Sequence, residues 1–181
     1  MIPPEPHMTV LPVERQALMP SPPPTPRPSQ CFTHDPDDPD RERTVLPLAA
    51  VPSAVGGARR FAVAQLRTWG LDPLADDVEI VTSELVTNAV REVGLDTPPD
   101  GYVALHDAHP PLILLQLRLT TRHLFCEVWD PSPSPPVAVE AGDFALGGRG
   151  MALIASLAGR WASYPSPAGG KAVIAWWELA R

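Results

Sequence analysis

Two polar side chains stand one turn apart on the longest helix that the sequence predicts. Val81, Leu85 and Ala89 recur at helical spacing and define an apolar face. With Val81 at 0° on a helical wheel, Asn88 falls at about −20° and Glu84 at about −60°, so both flank the apolar arc. A carboxylate and a carboxamide beside a buried face are costly unless something satisfies them. The pair therefore indicates either hydrogen bonds from the helix edge to a neighbouring strand or a site for a cation or phosphate.

A second carboxylate ends a predicted strand on its apolar side. The period of two along this strand places four residues on one face, Leu124, Cys126, Val128 and Asp130. Asp130 therefore points inward, where it either accepts hydrogen bonds from a ligand amine or caps the turn at residues 131–133. Cys126 is expected to fill the core, because no residue near it in the sequence would lower the pKa of its thiol.

A glycine-rich segment leads directly into the third predicted helix. Gly147, Gly148 and Gly150 surround Arg149 at this point. Glycines let the backbone approach a phosphate, and the free N–H groups of a helix N-terminus bind anions. A flexible loop entering a helix has the same composition, so both alternatives stay open. The segment is not a P-loop, because no Gly-Lys-Ser/Thr follows it, and the sequence has no strand–GxGxxG–helix unit.

The elements that must position these residues follow a two-layer pattern. The spacing predicts helices over residues 53–69 and 73–93 and from residue 149, and strands over residues 44–48, 102–106, 112–119, 123–129, 161–164 and 172–179. Pro47 favours an edge position for the first strand, and Gly94 ends the second helix. The order predicts an α/β (α+β) fold, a two-layer sandwich of helices on one face of a mixed, largely antiparallel sheet.

The N-terminal segment has a composition unlike that of the rest of the chain. Of the 25 prolines in 181 residues, twelve lie in the first 40, together with six acidic and two basic residues. Proline removes backbone donors and like charges repel, so residues 1–42 are predicted to form a disordered, acidic, proline-rich tail. A PxxP ligand for another domain is the alternative for this segment. Residues 43–181 then form one domain, which is expected to fold without the first 40 residues.

Charge, cysteine content and hydropathy exclude several functions. The formal net charge is −7 and no basic stripe is present, which argues against direct nucleic-acid binding. Cys31 and Cys126 are too few for a disulfide framework or a zinc site. No apolar run approaches the roughly 18 residues of a membrane-spanning helix, and no signal-peptide pattern opens the sequence. We therefore expect a soluble, cytoplasmic protein with no membrane partner.

In order and spacing, these motifs resemble one family. ELVTNAVR at residues 84–91 is similar to the first box of the GHKL ATPases, which include gyrase, chaperones, histidine kinases and mismatch-repair proteins. WDPSPSPP at residues 129–136 resembles their adenine box, and GRGM at residues 148–151 resembles their second glycine box. GGKAV at residues 169–173 is similar to the last strand of the RsbW-like anti-sigma-factor serine/threonine kinases. The resemblance covers about residues 44–181.

The resemblance implies a Bergerat-type fold that binds ATP and Mg²⁺ between the helices and a short lid. Glu84 would be the general base for the acceptor hydroxyl, Asn88 would hold Mg²⁺, and Asp130 would accept from the adenine amine. The residues that would contact the phosphates are Gly148, Arg149 and Gly150, with an outward salt bridge as the alternative for Arg149. These roles suit the chemistry, since a hydroxyl nucleophile needs a base within hydrogen-bond reach and Mg²⁺ prefers oxygen ligands.

Three departures from the family pattern bear on activity. Glu92 stands in place of a histidine on the nucleotide side of the wheel, and this anion is expected to weaken ATP binding unless it is turned away or paired. Ala172 replaces a threonine, which is expected to remove one hydroxyl contact, and the adenine box lacks the glycines of the wider superfamily.

The family implies a kinase that phosphorylates an anti-anti-sigma (STAS) partner, sequesters a sigma factor and forms a homodimer. The alternative is a switch module that binds a nucleotide and a partner without phosphorylating anything. A sensor histidine kinase is disfavoured, because the segment before the first strand does not read as a dimerisation helix with a phosphoaccepting histidine.

Overall fold

The computed structural model describes residues 27, 32, 36–94, 109–134, 149–158 and 160–179. The elements in these residues are β1 (Glu42–Ala49), α1 (Ala54–Thr68), a 3-10 turn (Asp72–Leu74), α2 (Ala75–Val93), β2 (Leu112–Leu119), β3 (His123–Asp130), α3 (Arg149–Ala158), β4 (Arg160–Pro165) and β5 (Lys171–Glu178). The strand predicted at residues 102–106 lies outside the described residues.

The five strands form one sheet in the order β1-β2-β3-β5-β4. Every pairing among them is antiparallel, so the described sheet contains no parallel ladder, although the prediction allowed a mixed one. β1 lies at an edge, where Pro47 costs the sheet no central hydrogen bond. The prediction of a two-layer sandwich with helices on one face of a largely antiparallel sheet is confirmed.

The main core lies between the helices and the inner face of the sheet. α1 contributes a stripe of completely buried residues at helical spacing, Ala58, Ala62 and Leu66. Its two alanines let α1 pack closely against α2. Cys126 lies on the inner face of β3, with its Sγ 3.4 Å from Thr82 Oγ1, and burial raises the pKa of its thiol to about 12. Its predicted role as a core residue is confirmed.

α2 forms where the sequence predicts a helix, and a 3-10 turn precedes it. The 3-10 turn Asp72–Leu74 has proline near its start and leads directly into Ala75. Two aspartates in the first turn and Arg91 in the last turn complement the helix dipole. Gly94 ends the helix with its N–H donated to Val90 O at 2.7 Å. This uninterrupted helix carries Glu84 and Asn88 on one edge of its C-terminal half.

The outer face of the sheet, which the helices do not cover, is also largely buried. Phe32, only 3% exposed, packs there against Leu114, Trp129 and Ala172. A second contact lies further along the chain, where Asp38 Oδ2 accepts a hydrogen bond from Thr120 Oγ1 at 2.9 Å. The described parts of the segment assigned to the tail thus contact the sheet, which its composition does not reveal. Residues 1–26, 28–31 and 33–35 lie outside the described residues, and for them the tail stays a prediction.

Candidate functional site

Glu84 and Asn88 meet the N-terminal turn of α3. A Cβ atom placed on Gly150 would lie 2.5 Å from Glu84 Oε2 and 3.9 Å from Asn88 Nδ2. Asn88 Nδ2 also donates a weak hydrogen bond to Met151 Sδ at 3.6 Å. Of the two alternatives that the sequence left open for this pair, hydrogen bonds to a neighbouring strand do not form in the described structure. The first box and the second glycine box instead come together through the packing of α2 against α3.

This arrangement suits a phosphate and a magnesium ion. The first N–H groups of α3 have no partner within the helix and can bind an anion. The amide of Asn88 uses its nitrogen toward Met151, so its oxygen is available to a cation. The described residues contain no group of three or more His, Cys, Asp or Glu side chains that could hold a metal. A single amide oxygen beside bound phosphates fits Mg²⁺, which usually keeps waters and takes few protein ligands.

Asp130 is buried at the end of β3 and is held through one oxygen. Its Oδ1 accepts hydrogen bonds from the Ser132 backbone N–H at 2.9 Å and from Lys171 Nζ at 3.0 Å. Within the described part of the chain, Oδ2 receives no hydrogen bond and stays available as an acceptor. Oδ1 therefore caps the turn, as one of the two sequence interpretations predicted. Acceptance of a ligand amine by Oδ2 stays a prediction.

Burial raises the pKa of Asp130 above its usual range, because a carboxylate loses hydration there. The hydrogen bond and the positive charge of Lys171 oppose this shift, and the negative charge of Glu92 adds to it. The ionisation of this carboxylate is thus set first by its burial and then by its two charged neighbours.

Lys171 is a site residue that the sequence analysis missed. The register of β3 and β5 pairs Asp130 with Lys171 directly, and Trp129 with Ala172. Gly170, at φ 74°, packs against the Asp130 backbone, where a side chain would not fit. β5 begins at the next residue, Lys171, opposite Asp130. The period of two could have indicated Lys171, since it is in phase with the inward residues Val173 and Ala175.

The register also corrects the expectation for Ala172. Its neighbour Trp129 and the aromatic ring of Phe32 lie on the outer face of the sheet, opposite to the face of Asp130. A threonine hydroxyl at position 172 would therefore point away from the site. The replacement by alanine removes no contact with a ligand at Asp130.

Glu92 is paired near Asp130. Its Oε1 accepts a hydrogen bond from Ser132 Oγ at 2.8 Å and lies 3.9 Å from Lys171 Nζ. The weakening of ATP binding that we expected was conditional on an unpaired carboxylate, and the structure shows a paired one. Glu92 belongs to the group of charges around the adenine-box aspartate.

The remaining predicted site residues lie at the border of the described chain. Arg149 begins α3, and its guanidinium is outside the described structure. Gly148 lies outside the described residues. Gly150 lies beside Glu84. The contacts of all three residues with phosphates stay predictions.

Comparison with known proteins identifies the family of the domain that carries these residues. A family model described as the histidine kinase-like ATPase domain matches residues 48–177, well over half of the chain. This span includes Glu84, Asn88, Asp130 and Lys171. No curated protein sequence matches the chain. None of the described helices is long and apolar enough to cross a membrane. With a GHKL-type ATP-binding domain over this span, the chain belongs to the histidine kinase-like ATPase family.

Proposed function

We propose that this protein is a Mg-ATP-dependent serine/threonine kinase of the anti-sigma-factor type, which phosphorylates an anti-anti-sigma (STAS) partner. The observation that carries the proposal is the position of the Glu84 carboxylate, beside the N-terminal turn of α3 and one helical turn before Asn88. A base at this point stands next to the backbone that binds phosphates, where the acceptor hydroxyl of a protein substrate would attack.

Each described residue has a definite task in this reaction. Glu84 accepts the proton of the serine or threonine hydroxyl as its oxygen attacks the terminal phosphate of ATP. Gly150 brings its backbone close to the transferred group without a side chain in the way. The Asn88 amide oxygen would hold Mg²⁺, which would supply positive charge beside the phosphates. Asp130 accepts the adenine amine and positions the nucleotide.

The partner is proposed from the sequence resemblance. The GGKAV segment is similar to the last strand of the RsbW-like kinases, whose partners are STAS proteins and sigma factors. Sigma factors act in the cytoplasm, so the proposal implies a cytoplasmic protein, and the resemblance implies a homodimer. The sequence has a net charge of −7 and no basic stripe, which argues against direct contact with nucleic acid.

A second candidate function is an ATP-binding switch that sequesters its partner without phosphorylating it. It is favoured by Glu92, which replaces the histidine of the first box and is engaged with Ser132 and Lys171. A site altered in this way can retain nucleotide binding while losing phosphotransfer.

Phosphotransfer with radiolabelled ATP tests the proposal. The protein is incubated with STAS proteins from the same genome, and the Glu84→Gln variant is compared with Glu79→Gln, a matched change on another face of α2. Wild type and Glu79→Gln are expected to phosphorylate the partner, while Glu84→Gln loses roughly 10²–10⁴-fold in rate and still binds ATP. Absence of transfer by the wild type to every STAS protein, with ATP bound, would reject the kinase and favour the switch.

A further inference from the structure

Lys171, the only lysine of the chain, is buried in the site. Its side chain is 9% exposed and that of Asp130 is 3% exposed. A buried ammonium is costly unless it is paired. Lys171 Nζ lies 3.0 Å from Asp130 Oδ1 and 3.9 Å from Glu92 Oε1. The lysine thus stands between two carboxylates, one buried and one exposed.

The hydrogen bonds of Asp130 are asymmetric. Lys171 Nζ and the Ser132 N–H both donate to Oδ1. Two donors on one oxygen fix the rotation of the carboxylate and leave the other oxygen as an acceptor. Ser132 also donates its hydroxyl to Glu92, so the same residue connects the lysine's two partners.

We propose that Lys171 is a positioning residue for recognition of the nucleotide base, orienting Asp130 so that Oδ2 accepts a hydrogen bond from a purine 6-amino group. The inference deepens the proposed function, because it rests on the assignment of Asp130 to the adenine of ATP. Lys171 acts through Asp130, to which its Nζ donates a hydrogen bond. Glu92 is the second partner of the lysine and tunes its effect.

The electrostatics predict opposite shifts of the Asp130 pKa in two variants. Burial raises the pKa of Asp130, Lys171 opposes this shift, and Glu92 adds to it. Removal of the lysine raises the pKa of Asp130 further, whereas removal of the Glu92 charge lowers it. Since only the ionised carboxylate leaves both oxygens as acceptors, ATP binding weakens as the pH falls through the Asp130 pKa.

The experiment measures the affinity of the full-length protein for ATP and for ITP from about pH 4 to about pH 8.5, a window that begins near the ordinary pKa of an aspartate. ITP carries a carbonyl where ATP carries the amine, and its phosphates are the same. In Lys171→Met the acid limb of the ATP profile is expected to move to higher pH, and each unit of that movement is a tenfold loss of affinity along the limb. The preference for ATP over ITP should fall as well. Lys171→Arg, which keeps the charge, should restore most of both properties.

Glu92→Gln is the second variant and keeps the inference testable if Lys171→Met does not fold. It replaces a half-exposed carboxylate by an amide of the same shape, and its acid limb is expected to move to lower pH. Because the chain has one lysine, a ¹⁵N-lysine label gives a single Nζ signal that follows the titration of Asp130 directly. An acid limb that stays in place in both variants, or an equal loss of ATP and ITP, would overturn the positioning role.

These measurements separate the inference from the kinase proposal. They use no STAS partner and no phosphotransfer. Opposite shifts in a protein that binds ATP but phosphorylates nothing would support the role of Lys171 while rejecting the kinase. A wild type that binds ATP and ITP equally would reject the adenine assignment of Asp130 and the inference with it.

Discussion

Replacement of Gly150 by alanine is expected to separate the activity of the site from the stability of the fold. Gly150 is the second residue of α3, and alanine is favoured over glycine in helices by up to about 1 kcal/mol. The new Cβ would lie 2.5 Å from Glu84 Oε2, whereas ordinary contacts begin at 3.4 Å. The carboxylate oxygen must therefore move by about 0.9 Å. This movement is easy for the end of a flexible side chain, so the folded state should keep its stability.

The same movement is costly for catalysis. A displacement of about 1 Å in a reacting group can reduce the rate by about 10²-fold. We expect Gly150→Ala to lose phosphotransfer by this order, with a melting temperature equal to or slightly above that of the wild type. Transfer from radiolabelled ATP and thermal unfolding are measured on the same preparation.

Gly57 provides the matched control for this substitution. It lies in α1, and a Cβ on it would meet no atom within 4 Å. Gly57→Ala is expected to change stability by a similar amount and to leave phosphotransfer unchanged. If Gly150→Ala transferred phosphate at the wild-type rate, the contact between Glu84 and the start of α3 would not matter for catalysis. The assignment of Glu84 as the base would then lose its structural support.

Two further predictions concern the outer face of the sheet. Phe32→Ala removes a ring that is 3% exposed, so the free energy of unfolding should fall by roughly 3 kcal/mol, and deletion of residues 1–35 should have the same effect. The control is a chain that lacks only residues 1–26. If both variants had the denaturant midpoint of this control, residues 27–35 would not stabilise the domain and the prediction of a detached tail would stand. Burial raises the pKa of Glu127 to about 7, and its hydrogen bonds with Arg118 and Tyr164 only partly oppose this shift. The pKa of Glu127 in the folded protein exceeds the ordinary value of 4.5, so its contribution to the free energy of unfolding is fully present below about pH 4.5. This contribution is lost as the pH rises through 7, which lowers the free energy of unfolding by roughly 3 kcal/mol. In Glu127→Gln the free energy of unfolding should fall less steeply between pH 5 and 7.5 than in the wild type. An identical slope in the two proteins would contradict the raised pKa of Glu127.

The sequence by itself determined the features that arise from local geometry. The period of 3.6 places Glu84 and Asn88 on one helix edge, and the period of two turns Asp130 inward at the end of β3. Both follow from the covalent geometry of a short segment, so no other part of the chain is needed to infer them. Gly150 at the start of α3 and the end of α2 at Gly94 can be inferred locally in the same way.

Only the tertiary structure decided which of these segments meet. Asp130 and Lys171 are 41 residues apart, and their pairing depends on the register between β3 and β5. The partner of Glu92 and the burial of Phe32 against Trp129 also depend on contacts between distant segments. A local pattern gives the face of a residue, but a contact across the chain depends on loop closure and strand order, which periodicity does not contain. For this reason the charges around Asp130 emerged only from the folded chain.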